Sequence, residues 1–113
     1  MNDKIKNTIF QIISLLVNRR YDEIVKMTKG VRLRAFHIKD AIDEYGKTLA
    51  QPPQDAYENL DIIEIENTTP KKWSVRFDLW TEEEGRSDLS IELTLIDAAG
   101  DFMEVELDNI HTL

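Results

Sequence analysis

The chain has 113 residues, 42% of them apolar and 32% charged, with no cysteine and a net charge of −8. Those totals describe a single domain, 1–113, able to bury a core without disulfides, and they exclude thiolate zinc sites and cysteine nucleophiles. The charge is unevenly divided: residues 1–50 hold ten Lys or Arg against six Asp or Glu, whereas residues 51–113 hold four against sixteen. An acidic half of this kind repels nucleic acid and attracts basic proteins. The N-terminus lacks a signal-peptide layout, and the apolar run 9–17, interrupted by Gln11 and Ser14, is too short for a bilayer span. A soluble, cytoplasmic protein without a membrane partner is expected.

The first half reads as helical. Asn2 or Asp3 is placed to cap a helix running to about Asn18, in which Ile5, Ile9, Ile12, Ile13 and Leu16 form an apolar stripe widened by Phe10 and Val17. Residues 18–20 make a corner. Residues 21–29 make a second short helix with Ile24, Val25 and Met27 inward and Gly30 as its stop. A connector, 31–35, leads to a third helix over about 36–45, with Ile38, Ala41, Ile42 and Tyr45 inward and Gly46 behind it. Pro52 and Pro53 end the helical half, since proline cannot continue a helix interior.

Strands follow. The first is predicted over 57–66, with Ile63 and Ile65 on one side and Ile62 and Glu64 on the other. Trp73, Val75, Phe77 and Leu79 then alternate with Ser74, Arg76, Asp78 and Trp80. Leu89, Ile91, Leu93 and Leu95 alternate with Asp88, Ser90, Glu92 and Thr94. This is the period-two pattern of two half-buried strands, joined by a turn within 81–87 that contains Gly85. Setting Leu79 opposite Leu89 brings Phe77 to Ile91, Val75 to Leu93, Trp73 to Leu95 and Arg76 to Glu92. A one-residue slip would turn the apolar set outward. Residues 97–101 read as a tight turn closed by a left-handed Gly100. A last strand over 102–110 alternates Met103, Val105 and Leu107 with Glu104, Glu106 and Asp108.

Helices followed by antiparallel strands predict an α+β fold: N-terminal helices (1–50) packed on a curved four-stranded antiparallel sheet (51–113). In element order the chain resembles the cone-shaped nuclear-transport-factor-2-like and cystatin-like proteins, a resemblance without a catalytic motif. The block Leu79-Trp-Thr-Glu-Glu-Glu-Gly-Arg-Ser-Asp-Leu89 and the ending Asp108-Asn-Ile-His-Thr-Leu113 are similar to those of an uncharacterised family of small bacterial domains. Small domains of this kind also serve as immunity proteins that neutralise a toxin. Neither resemblance assigns a role to a residue.

His37 and His111 are the only histidines, far apart in the chain and without the i, i+4 spacing of a helical metal site or a neighbouring nucleophile. No metal, cofactor or catalytic residue is therefore assigned. Trp80 falls on the acidic face, where an aromatic reads as a binding anchor. Asp78, Glu82, Glu83, Glu84, Glu92, Glu104 and Glu106 surround it as electrostatic bait for a basic protein. Two readings compete with that one. The charged turn is a solvated tip that guards against edge aggregation, or a second copy covers Trp80 in a homodimer built through the sheet. A cone also encloses a pocket, for which Tyr21, His37, Tyr45 and Trp73 are the candidate lining in a small-ligand or enzymatic domain. The leading expectation is a non-enzymatic protein-binding module, with an immunity protein that masks a basic toxin as its concrete form.

Overall fold

Ile5, Ile9, Ile12, Ile13 and Leu16 are all buried along helix α1 (Asn2–Val17), so one stripe of this helix meets the core. The computed structural model describes residues 2–30, 33–58 and 60–112. The stripe is narrower than predicted: Phe10 is 51% exposed and Val17 half-buried, because both sit at its margin. The helix already includes both Asn2 and Asp3, so the predicted capping positions lie inside it, and the preceding Met1 lies outside the described residues. Helix α2 (Tyr21–Thr28) buries Ile24 and Thr28 and leaves Val25 and Met27 half-buried. It ends through left-handed Lys29 and Gly30, whose N–H groups return to Lys26 and Val25 carbonyls. Val31 and Arg32, part of the predicted connector, lie outside the described residues. Helix α3 (Ala35–Tyr45) buries Ile38 and Ile42, and Gly46 closes it with φ +77°.

The sheet has five strands, where four were expected: β1 (Leu49–Ala50), β2 (Asp61–Ile65), β3 (Lys72–Thr81), β4 (Gly85–Ile96) and β5 (Glu104–Thr112). All pairings are antiparallel in the order β1-β3-β4-β5, and β2 pairs with β3 further along the same edge that receives β1. The added strand, β1, places the start of the sheet two residues before residue 51, where the sheet half was expected to begin. The predicted strand over 57–66 shortens to β2, because Tyr57 closes a single 3-10 turn (Gln54–Tyr57) instead. Its ring is buried there, stacked at 5.3 Å on Phe77 and 5.7 Å from Phe10, and that aromatic burial holds the turn under the sheet edge.

The inward face follows the alternation closely. Trp73, Val75, Phe77, Leu79, Leu89, Ile91, Leu93, Leu95, Met103, Val105 and Leu107 are all buried with the helical stripe in one apolar cluster. The predicted tight turn after β4 is longer, spanning residues 97–103, and β5 starts at Glu104. Helix α1 satisfies the backbone of this loop in place of a hairpin ladder. Lys4 reaches the Asp97 carboxylate and the Ala98 carbonyl, and the Met103 N–H donates to Thr8 Oγ1 at 2.9 Å. Thr8 is fully buried and donates in turn to the Lys4 carbonyl, so a polar side chain inside the stripe is paired on both counts. Among the described residues no helix is long and apolar enough to cross a membrane.

Candidate functional site

The helices cover one face of the sheet, and the outward side chains of the strands make the other. Its pattern depends on two irregularities. Between β3 and β4 the predicted register holds from Trp73↔Leu95 to Phe77↔Ile91, and Arg76 does oppose Glu92. Beyond Asp78↔Ser90 the register steps by two residues, giving Trp80↔Arg86 and Thr81↔Gly85 in place of the Leu79↔Leu89 pairing. An even step keeps every side chain on its face. Ser87, buried at the step, donates from Oγ to the Leu79 carbonyl at 2.7 Å and accepts the Leu89 N–H at 3.2 Å. The step puts Arg86 across from Trp80 where uninterrupted pairing would put Asp88. The second irregularity makes Asp108 the extra residue of β5, since Glu92 faces Asn109 while Leu93 faces Leu107. Ile110 therefore turns inward and His111 outward, opposite Ser90.

A polar network crosses the outer face at this level. Arg76 lies 3.4 Å from Asp61 on β2 and 3.6 Å from Asp78 on its own strand. Asp78 accepts a 2.8 Å hydrogen bond from Ser90, with Arg86 4.0 Å away. His111 Nε2 contacts the Glu92 carboxylate, and Thr94 donates to Asp108 at 2.7 Å. Ser90 is fully buried and spends its proton on Asp78, so the hydroxyl, imidazole and carboxylate gathered here do not form a nucleophilic relay. Beside the network, in the notch between β1 and β2, a cleft of about 240 Å3 is lined by Asp61, Arg76, Asp78, Trp80 and Arg86 from the strands, with Asp55 and Leu60 opposite. Half-buried Trp80 forms one wall, its six-membered ring lying over Gly85, where an added Cβ would come within 3.7 Å.

The eight residues proposed from sequence as a binding face are thus divided in what they do. Asp78 and Glu92 are engaged by Ser90, Arg76 and His111. Glu83 and Glu84 hold the hairpin tip against the loop after α3. Glu83 accepts the Thr48 N–H at 2.9 Å and the Thr48 hydroxyl at 3.0 Å, and the Glu82 N–H donates to the Thr48 carbonyl at 2.9 Å. Glu84 accepts from the Tyr45 hydroxyl at 2.8 Å and from Thr81 Oγ1 at 3.2 Å. The Thr48 N–H bond holds the Glu83 carboxyl below the usual glutamate range, and the bond to Glu84 pushes the Tyr45 hydroxyl up. Glu82, Glu104 and Glu106 carry side chains outside these contacts. They are not one patch: β4 separates Glu82, at the tip, from Glu104 by roughly 35 Å at about 3.3 Å per residue.

The four residues named as a pocket lining are likewise separated. Trp73 is core and His37 is exposed at the head of α3, where its Nδ1 accepts the Arg34 N–H at 3.2 Å. Tyr21 lines surface clefts beside α2 and Tyr45 another beside β5. The space between helices and sheet is occupied by one cluster of buried apolar side chains, most of them aliphatic, with Tyr57, Trp73 and Phe77 among them. Among the described residues no three His, Asp or Glu side chains converge as a metal site requires. Sequence reasoning passed over Thr8 and Thr48, hydroxyl residues whose backbone and carboxylate partners are brought up by tertiary contact. Ser87 follows a turn glycine, where a small polar residue reads as structural, and its bonds to the Leu79 and Leu89 backbone are of that kind.

The chain is therefore an α+β domain, three helices on one face of an antiparallel sheet whose other face carries a polar network and a tryptophan-walled notch. Residues 13–113 match the model of a family described as Domain of unknown function (DUF7668), and the chain belongs to that family. No curated protein and no solved structure is significantly similar to it.

Proposed function

We propose that the domain is a non-enzymatic protein-binding module that presents the outer face of its sheet to a basic protein. The observation that carries this reading is Trp80, half-exposed in a notch on the uncovered face, in a half of the chain where sixteen acidic residues stand against four basic ones. A tryptophan wall supplies contact area at little entropic cost, and the net negative charge of this half of the chain speeds and selects the encounter. Masking a basic toxin, as immunity proteins do, is the concrete form of the proposal.

The test follows from how the carboxylates are divided. Reversing charge at Glu83 or Glu84 would also loosen the hairpin tip, so Glu82→Lys, at the tip near Trp80 with its side chain outside those contacts, is the cleaner probe of charge and Trp80→Ala of the anchor. Affinity capture with the tagged chain at low and high salt, compared across these variants, is expected to show a basic protein retained by the parent, lost at high salt and lost from each variant. Capture unchanged in both variants, with circular dichroism showing intact folds, would refute the proposal.

A further inference from the structure

Strand β2 forms an open side of the sheet. It pairs with β3 alone, so alternate N–H and C=O groups of Asp61–Ile65 point outward with no strand beyond them among the described residues. Proteins protect such an edge with charged side chains, lysine above all, or with proline, a bulge or a covering element. Asp61–Ile65 carries Asp61 and Glu64 but no lysine or proline, its register with β3 is unbroken, and Ile63 and Ile65 are 65% and 37% exposed. The far side of the sheet differs: β5 carries the Asp108 bulge and runs alongside α2 and α3.

We infer that β2 is a self-association edge, pairing antiparallel with β2 of a second copy about a two-fold axis at Ile63. The strand's own sequence selects this occupant. Side chains opposed across a two-fold normal to the sheet share a face, so the axis must pass through a residue. Centring on Ile63 is the arrangement that pairs all five residues: Ile63 meets the partner's Ile63, Ile65 meets the partner's Asp61, and Glu64 meets the partner's Ile62. No acid faces an acid, which matters in a chain of net charge −8. Centring on Glu64 would oppose that carboxylate with itself, and centring on Ile62 would leave Ile65 outside the overlap. The chosen register covers both exposed isoleucines and keeps the two outer faces on one side of a continuous sheet, so a dimer displays two Trp80 notches together.

The test uses the purified full chain without any partner, so it is independent of the basic-partner reading. Sedimentation at rising concentration is expected to approach twice the 13.2 kDa chain mass. Ile63→Lys, a change at an exposed position, is expected to hold the chain monomeric with unchanged circular dichroism. The register is read by cross-linking, because the parent has no cysteine. Opposed residues lie about 4.5–5.5 Å apart between Cα atoms, within the disulfide range of about 4.4–6.8 Å. Ile63→Cys should therefore link under mild oxidation. Glu64→Cys should link at least about tenfold more slowly, since the diagonal spacing of about 7–8 Å is beyond bridging. A monomer at every concentration, a dimer indifferent to Ile63→Lys, or equal cross-linking of the two cysteine variants would each overturn the inference.

Discussion

Replacing Ser87 by alanine tests the register step on which the outer face depends. The Ser87 hydroxyl serves two buried backbone groups, the Leu79 carbonyl at 2.7 Å and the Leu89 N–H at 3.2 Å, where the register of β3 and β4 steps. Alanine fills nearly the same space but leaves both groups short of a partner, at about 1–3 kcal/mol for each buried group left unsatisfied. A loss of about 2–6 kcal/mol is expected for the two groups together. At about 4 °C per kcal/mol for a chain of this length, Tm falls by roughly 8–24 °C. Thermal unfolding followed by circular dichroism measures that loss, with Asp88→Ala, its exposed neighbour, expected within about 0.5 kcal/mol of the parent. Tryptophan fluorescence adds a local readout, because Trp80 and Arg86 face each other only while the step is kept. Stability within about 0.5 kcal/mol of the parent would refute the argument that Ser87 holds the step.

Two further outcomes follow from titrating groups. Burial pushes the Tyr57 hydroxyl up from 10.0 to about 12, partly opposed by its bond from Gln51. The folded state thus favours the protonated phenol: its contribution, on the order of 2–3 kcal/mol, is complete below pH 10 and lost as pH rises toward 12. Phenolate absorbance and denaturation across that window check this, and Tyr57→Phe should flatten the decline. At the hairpin tip the sign reverses. The Glu83 carboxyl, depressed by the Thr48 N–H, supports the latch above the ordinary glutamate value of 4.5 and releases it only as pH falls further. The Thr48 amide resonance should titrate with a midpoint below 4.5; one at or above that value would remove Glu83 from the latch.

The faces of the sheet were legible in the chain because a strand alternates with period two and the core is built chiefly of apolar side chains. Trp73 through Leu79 and Leu89 through Leu95 fall inward as read, and Arg76 meets Glu92. The α1 stripe was legible for the parallel reason at helical period, although Phe10 shows that period does not set the width of the buried arc. Other features were decided only in three dimensions. A register step of two residues preserves the alternation, so nothing in the pattern distinguishes Trp80 facing Arg86 from Trp80 facing Asp88. Yet that choice puts Arg86 rather than Asp88 across from Trp80, and both Arg86 and Trp80 line the notch. Glu82, Glu83 and Glu84 look alike as a charged run, but the approach of Thr48 and Tyr45, more than thirty residues away, engages two of the three side chains. The two-residue strand β1 is too short to carry a periodic signal and is paired through the same contact. Burial is an averaged property that local pattern reports, whereas a hydrogen bond between distant residues forms only where packing brings its donor and acceptor together.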